Sequence, residues 1–306
     1  MTSVGLVGFG RWGRHIFRDL LGLGVAVHVA APPPESRAAA LAAGAASVHA
    51  ACGDLPDVDG FVVATPTGLH AAIVEELIPR DRPIFVEKPL TNDLAAARRL
   101  VALAPHRIFV MDKWRYHPGI EALAAHARSG ALGDILAVRT YRLGWDSPYR
   151  DVDPVWTLTP HDLSIAYEVL GFLPDARMAF ATVPDGGHSS LIAVLENAEG
   201  GPKVVVEVST HHPASRRAVV VIGSKGSAQL ADSNDDRILL ARGAPGLDAE
   251  PPEAFAVSTA MPLQRELAAF VAHLQGGPPP RSAAAEGLLI VERITALRSL
   301  AGIDKP

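Results

Sequence analysis

The sequence predicts an α/β chain in two parts: a doubly wound parallel sheet over the first third, then an α+β part built on an open, mostly antiparallel sheet. Three observations carry this expectation. Up to about residue 114, short apolar runs alternate strictly with helical stretches; those runs are apolar on both faces; and after about residue 130 the rhythm changes to strands joined by Gly, Pro and Asp turns. Strands buried on both faces lie between two layers of helices, and strict strand-helix alternation is what parallel crossovers require. Strands that alternate sides fit a sheet with one face against helices and one face free.

The first part reads as strands "VGLVGFG", "VAVHVAA", "GFVVATP", "PIFVEKP" and "RIFVMDK", separated by helices "HIFRDLLGLG", "ESRAAALAAGA", "LHAAIVEELIP" and "DLAAARRLVAL". A helix at about 118–129 precedes the second rhythm: "ILAVRTYRLGW", "ARMAFATVP", "SSLIAVLENAEG", "KVVVEVSTHHP" and "RAVVVIGSKGSAQLAD", with "GSKG" as a hairpin turn. Two amphipathic segments, "PLQRELAAFVAHLQ" and "SAAAEGLLIVERITALRSLAG", end the chain around a "GGPPPR" linker. The expected division is a dinucleotide-binding domain over 1–116 and a substrate-binding and oligomerisation domain over 117–306, whose last helix is free to return to the first.

The first chemical signal is "LVGFGRWGRH", with Gly8, Gly10 and Gly13 spaced as G-x-G-x-x-G between a strand and a helix. Gly8 permits the tight turn, Gly10 lets backbone approach a pyrophosphate, and Gly13 lets helix pack on strand, while the helix N-terminus offers N–H groups to the anion. The loop residues Phe9, Arg11 and Trp12 belong to the same cradle. The acid that usually ends the second strand and binds the ribose 2′-hydroxyl is missing: Ala31 stands there, followed by Glu35, Ser36 and Arg37. Loss of that acid removes a repulsion that would exclude a 2′-phosphate, and Arg11, Ser36 or Arg37 could then contact one. The expected cofactor is therefore NAD or NADP, leaning to NADP.

Two further strand ends face the same crevice, because ligands of doubly wound sheets lie beyond the carboxyl ends of the strands. Thr65 and Pro66 end one and should border the nicotinamide; His70 follows in the first helical turn, either as a hydrogen-bonded helix-start residue or with a catalytic part. Glu87 and Lys88 end the other, ahead of Pro89, which fixes the chain direction and permits a cis Lys–Pro bond. A lysine there can donate to a substrate oxygen; the alternative is a solvated edge pair.

Taken together, "GFGRWG", "ATPTGLH", "VEKPL", "KWRYHPGIEALAAHARSGALGDI" and "PHDLSI" resemble the Gfo/Idh/MocA family over nearly the whole chain. The resemblance implies an N-terminal Rossmann domain, a C-terminal domain whose open sheet often packs on another subunit, and oxidation or reduction of a sugar, cyclitol or nucleotide sugar with NAD or NADP. It makes Lys88 the lysine that holds the reacting hydroxyl and His161 the general acid/base, a task suited to a side chain that titrates near neutrality. The chain departs from the family pattern D-x-G-x-H-x-x-D: Thr157 stands four before His161 and Ser164 three after it, while Asp162 follows the histidine directly and is, with it, a candidate to bind substrate. His161 as a helix N-terminal residue is the alternative. A homodimer or homotetramer is implied as well.

Further candidates for the substrate wall are Lys113, Arg115, Tyr116 and His117, and, on a polar loop, Asp146, Tyr149 and Arg150; each is equally readable as a surface or interface residue. Arg115 is the first choice. His211 and His212 are neighbours in a strand and point to opposite faces, so no metal is expected. A net charge of −5 with scattered Lys and Arg gives no nucleic-acid footprint, and the longest apolar runs are too short for a membrane span. A single cysteine, Cys52, and a start without a secretory pattern point to the cytoplasm. Two other functions stay open on these residues: a biosynthetic keto-group or imine reductase, and a non-catalytic NAD(P)- or sugar-binding sensor.

Overall fold

The computed structural model describes residues 1–145, 152–182, 190–243 and 250–303. The chain forms two compact units, one comprising Met1–Lys113 with Met261–Val291 and the other Trp114–Ala260 with Glu292–Pro306. In chain order the first contains β1 (Ser3–Val7), α1 (Arg11–Gly22), β2 (Ala26–Ala30), α2 (Pro34–Ala42), β3 (Ser47–His49), β4 (Gly60–Val63), α3 (His70–Leu77), β5 (Ile84–Glu87), α4 (Leu94–Leu103) and β6 (Ile108–Met111). The six strands form one parallel sheet in the order β3-β2-β1-β4-β5-β6, with the chain reversing direction across the sheet between β1 and β4. That switch point is where a doubly wound sheet opens its crevice. The short edge strand β3 escapes sequence reading because its three residues, only half-buried, carry no apolar run.

The second unit contains α5 (Pro118–Arg128), β7 (Ile135–Trp145), α6 (Pro154–Leu170), β8 (Ala176–Thr182), β9 (Ser190–Leu195), β10 (Lys203–Ser209), β11 (His211–Gly223), β12 (Gly226–Leu230), β13 (Arg237–Arg242) and β14 (Glu253–Ala256). Its eight strands run β14-β13-β12-β11-β7-β10-β9-β8, all neighbours antiparallel except β7 and β10. Gly223 pairs with Gly226 at the predicted hairpin. The inner face, with Val138, Leu191, Ala193, Val204, Val206 and Val208, is buried, and α6 packs on β7 and β10. On the outer face Met178, Phe180 and Ile192 are exposed.

The helix α7 (Pro262–Leu274) belongs to the first unit, whereas the sequence assigns 117–306 to one domain. Its physical reason is the apolar stripe Leu263, Leu267, Phe270 and Val271, which joins one core with Ile16, Phe17 and Leu20 of α1 and with Val4, Val27 and Phe85 of the sheet. Phe270 stacks on Phe85 with centroids 4.8 Å apart. The last helix, α8 (Ala284–Leu300), starts in the first unit, where Gly287 lies against Val110. Among the described residues no helix is long and apolar enough to cross a membrane.

Candidate active site

The first unit assembles its site from strand ends. Gly8, after β1, has φ +100, and a Cβ there would come within 2.4 Å of the Ala64 carbonyl oxygen; one on Gly13 would lie 2.4 Å from the Gly8 carbonyl oxygen. Both positions therefore demand glycine. Gly10 faces open space and caps α1 in extended backbone; no side chain caps the helix and its first turn holds no acid. The free N–H groups of that turn suit an anion, so Gly8, Gly10 and Gly13 fit the pyrophosphate of a dinucleotide.

At the end of β2, Ala31 is buried, and no carboxylate occupies its place. The Arg37 guanidinium donates to the carbonyl oxygens of Ala31, at 2.8 Å, and Pro32, while Ser36 is half-buried in the first turn of α2. The β4 and β5 ends are tied together by His70: its Nδ1 lies 2.9 Å from the Pro89 carbonyl oxygen and its Nε2 3.0 Å from that of Thr65. The structure thus gives His70 the hydrogen-bonded helix-start position. Lys88–Pro89 is the cis peptide bond that the sequence allows for.

Glu87 is the hub of this edge. The Trp12 indole N–H donates to Glu87 Oε1, and the Lys88 backbone N–H donates to Oε2 at 3.1 Å. The carboxylate thereby pins the glycine-rich loop to the end of β5. Enclosure pushes the Glu87 pKa up, and Lys88, the Trp12 donor and Lys113 oppose the rise. Lys113 Nζ lies 4.4 Å from the Trp12 ring centroid, a cation–π contact on the same indole.

The second unit carries the histidine. His161 lies inside α6, not at its start, directly after Pro160. Thr157 spends its hydroxyl on the Asp153 carbonyl at 3.1 Å and Ser164 on the His161 carbonyl at 2.9 Å, so both close hydrogen bonds within the helix. Asp162 is 1% exposed, and the Arg142 guanidinium spans its two oxygens at 3.0 and 3.4 Å. Burial lifts the Asp162 pKa against the pull of Arg142, Thr140 and Arg217. Arg142 in turn lies 4.6 Å from the Trp114 ring centroid, and Trp114 has His161 at 6.5 Å and a stacked His117 at 5.1 Å. Asp162, Arg142 and Trp114 thus form a packed row beside the histidine.

The other predicted substrate residues are placed as follows. Arg115 is buried and donates to Glu168 at 2.9 Å, with Tyr167 under its guanidinium; Tyr116 is buried; His117 caps α5 through Gly119 N–H and reaches the Ser233 carbonyl oxygen. A buried guanidinium needs a buried carboxylate, which is the employment Glu168 gives Arg115. Asp146, Tyr149 and Arg150 lie outside the described residues. Among the described residues no group of three His, Cys, Asp or Glu side chains is arranged to hold a metal. Sequence reasoning passed over Glu266, which α7 buries within electrostatic reach of Glu87, Asp112 and Lys113. Its signal was the stripe Leu263, Leu267, Phe270, in which an acid three residues after Leu263 falls on the apolar face.

Residues 2–109 match the model of an oxidoreductase family with an NAD-binding Rossmann fold. Inositol 2-dehydrogenase from Rhizobium meliloti is 25% identical over 78% of this chain and 78% of its own. A solved structure from Magnetospirillum magnetotacticum MS-1, described as a candidate oxidoreductase, is 28% identical with TM-score 0.83, covering 96% of this chain and 99% of that one. Levoglucosan dehydrogenase in complex with NADH and levoglucosan shares the fold, with TM-score 0.87 over 99% of this chain and 98% of that one at 18% identity. The glycine cradle, the Glu87–Lys88 strand end and these likenesses agree: residues 2–109 match the Gfo/Idh/MocA model of NAD-binding Rossmann-fold oxidoreductases, and the whole chain is similar to proteins that carry it.

Proposed function

We propose that the protein interconverts an alcohol and a carbonyl on a sugar, cyclitol or nucleotide sugar, with Lys88 and His161 as its catalytic residues. The observation that carries this reading is the Glu87 hub, which fixes the glycine-rich loop and the Lys88 backbone to one strand end. The nicotinamide supplies the hydride chemistry when bound. Lys88 donates to the reacting oxygen, and His161 takes the alcohol proton on oxidation and returns it on reduction. Asp162, held by Arg142 and next in sequence to His161, acts on this reading as a positioning residue for that histidine. The relatives named as inositol 2-dehydrogenase and levoglucosan dehydrogenase support a polyhydroxylated substrate.

The buried Ala31, which replaces the strand-end acid, and the nearby Arg37 favour NADP over NAD, against the opposing charge of Glu35 in the same helical turn. A second copy of the chain is proposed to cover Met178, Phe180 and Ile192 on the outer sheet face, giving a homodimer or homotetramer; Phe180→Glu should then lower the mass measured by light scattering. A cytoplasmic location fits this cofactor use.

Titration with NADH and NADPH, followed by nicotinamide fluorescence, tests the reading together with a panel of sugars, cyclitols and nucleotide sugars. The parent should bind cofactor and turn over at least one compound, while Lys88→Ala and His161→Ala bind cofactor and lose turnover. Binding without turnover on the whole panel would favour a sensor, for which the absent acid at Ala31 and the internally bonded Thr157 are the motivating departures. Turnover confined to keto or imine acceptors in the reductive direction would favour a biosynthetic reductase.

A further inference from the structure

Glu266 sits on α7, fully buried, four residues before Phe270. Phe270 stacks on Phe85, and Phe85 shares a face of β5 with Glu87, so the same helix–strand register brings the Glu266 carboxyl within electrostatic reach of that of Glu87. The other charged groups facing it are Asp112 and Lys113 at the end of β6. The two glutamates differ in their surroundings. Both Glu87 oxygens accept N–H donors, from Trp12 and from Lys88, whereas neither buried oxygen of Glu266 meets a donor among the described residues. Donors favour the ionised form and their absence the neutral one; two neighbouring carboxyl groups so placed divide into one base and one acid.

We propose that Glu266 is a positioning residue of the cofactor site: an uncharged carboxyl group that leaves Glu87 as the single charged acceptor holding Trp12 and the Lys88 amide. This rests on the cofactor reading above. Ionisation of Glu266 would set a second negative charge against Glu87 and compete for Lys113, which lies over the Trp12 ring. The Glu87 and Lys113 contacts of Trp12 are then both weakened, so cofactor affinity has an alkaline limit set in the floor of the first unit and not at the reacting carbon. The direction of the Glu266 pKa agrees: burial first, then Glu87 and Asp112, push it well up, against Lys113.

The test is the dissociation constant of the better-bound reduced cofactor, NADH or NADPH, from pH 7 to 10, for the parent, Glu266→Gln and Glu87→Gln, with thermal unfolding of the cofactor-free proteins over the same range. Parent affinity should fall with pH, approaching tenfold per unit for one proton, and the Glu266→Gln variant should lack that fall. Glu87→Gln should bind weakly at every pH. Unfolding should show the same contrast, the parent losing stability with rising pH relative to Glu266→Gln; if that variant does not fold, Glu266→Met takes its place. An alkaline fall of equal size in the parent and the Glu266 variant overturns the inference while leaving the oxidoreductase reading intact. Failure of the parent to bind either cofactor overturns that reading and this one together, and the unfolding curves then show separately whether Glu266 carries its proton.

Discussion

The buried Arg142–Asp162 pair makes the strongest energetic claim in the second unit. Both side chains are nearly sealed from water, at 4% and 1% exposure, and the guanidinium contacts both carboxylate oxygens. Arg142→Met keeps an apolar body beside Trp114 and removes the charge, leaving Asp162 buried without its principal partner. Removing one member of such a pair costs about 3–5 kcal/mol. An upper limit follows independently, because a carboxyl group too costly to bury charged takes up a proton. From an ordinary value of 3.8, neutralisation at pH 7 costs about 4.4 kcal/mol at 1.36 kcal/mol per unit. Thr140 and Arg217 also face Asp162 and retain part of its stabilisation.

The assay is urea unfolding followed by tryptophan fluorescence, since Trp114, Trp145 and Trp156 lie in the second unit. The loss in Arg142→Met should grow with pH, by up to about 1.4 kcal/mol per unit, wherever Asp162 is ionised in the parent and protonated in the variant. The sign follows from the raised pKa in the variant: a folded form that binds the proton more tightly than the unfolded chain loses stability as pH rises from the unfolded value to the folded one. Arg142→Met with Asp162→Leu should recover most of the loss and remove its pH dependence. A single-variant loss below about 1 kcal/mol, flat from pH 5 to 8, would show that the pair does not hold the site and would refute the reasoning.

Three other outcomes are expected. Trp12→Phe keeps an aromatic ring under Lys113 but removes the donor to Glu87; a hydrogen bond to a charged group contributes about 1.5–3 kcal/mol, so cofactor should bind about tenfold or more weakly, by fluorescence titration. Gly8→Ala places a methyl group 2.4 Å from the Ala64 carbonyl oxygen in a left-handed backbone, and calorimetry with NADH or NADPH should show binding lost together with a lowered melting temperature. Phe270→Ala empties a fully buried site stacked on Phe85 and should cost about 3–5 kcal/mol in denaturant unfolding, with the loss confined to the first unit.

The parallel sheet was legible because each of its long strands is an apolar run closed by a glycine, proline or charged turn, and the glycine cradle because its three positions sit at a strand–helix junction. What periodicity could not supply was long-range assignment. The stripe on α7 states that the helix is half-buried but not against which sheet, and only packing with Phe85 and the α1 residues puts it in the first unit. The same limit applies to β13 and β14, short strands whose pairing partners are set by the neighbours they meet and not by their own composition. Arg115 and Asp162 show another limit. Sequence marks them as polar groups near a histidine; their occupation by Glu168 and Arg142 follows from side chains 53 and 20 residues away.

The run of β5 into an acid, a base and a proline has its explanation in the same long-range contacts. A strand end held by neighbours on both sides is among the most rigid places in a parallel sheet, and Glu87 uses that rigidity in two directions at once. Through Oε1 it fixes the loop that must cradle a pyrophosphate, and through Oε2 it fixes the backbone from which Lys88 projects. An uncharged residue at position 87 would hold neither as firmly, because hydrogen bonds to an ionised acceptor are about twice as strong as neutral ones. The charge is costly where Glu87 stands, and Lys88, Trp12 and Lys113 offset that cost. A neighbouring carboxylate would add to it, so the acid on α7 is compatible with this arrangement while it keeps its proton.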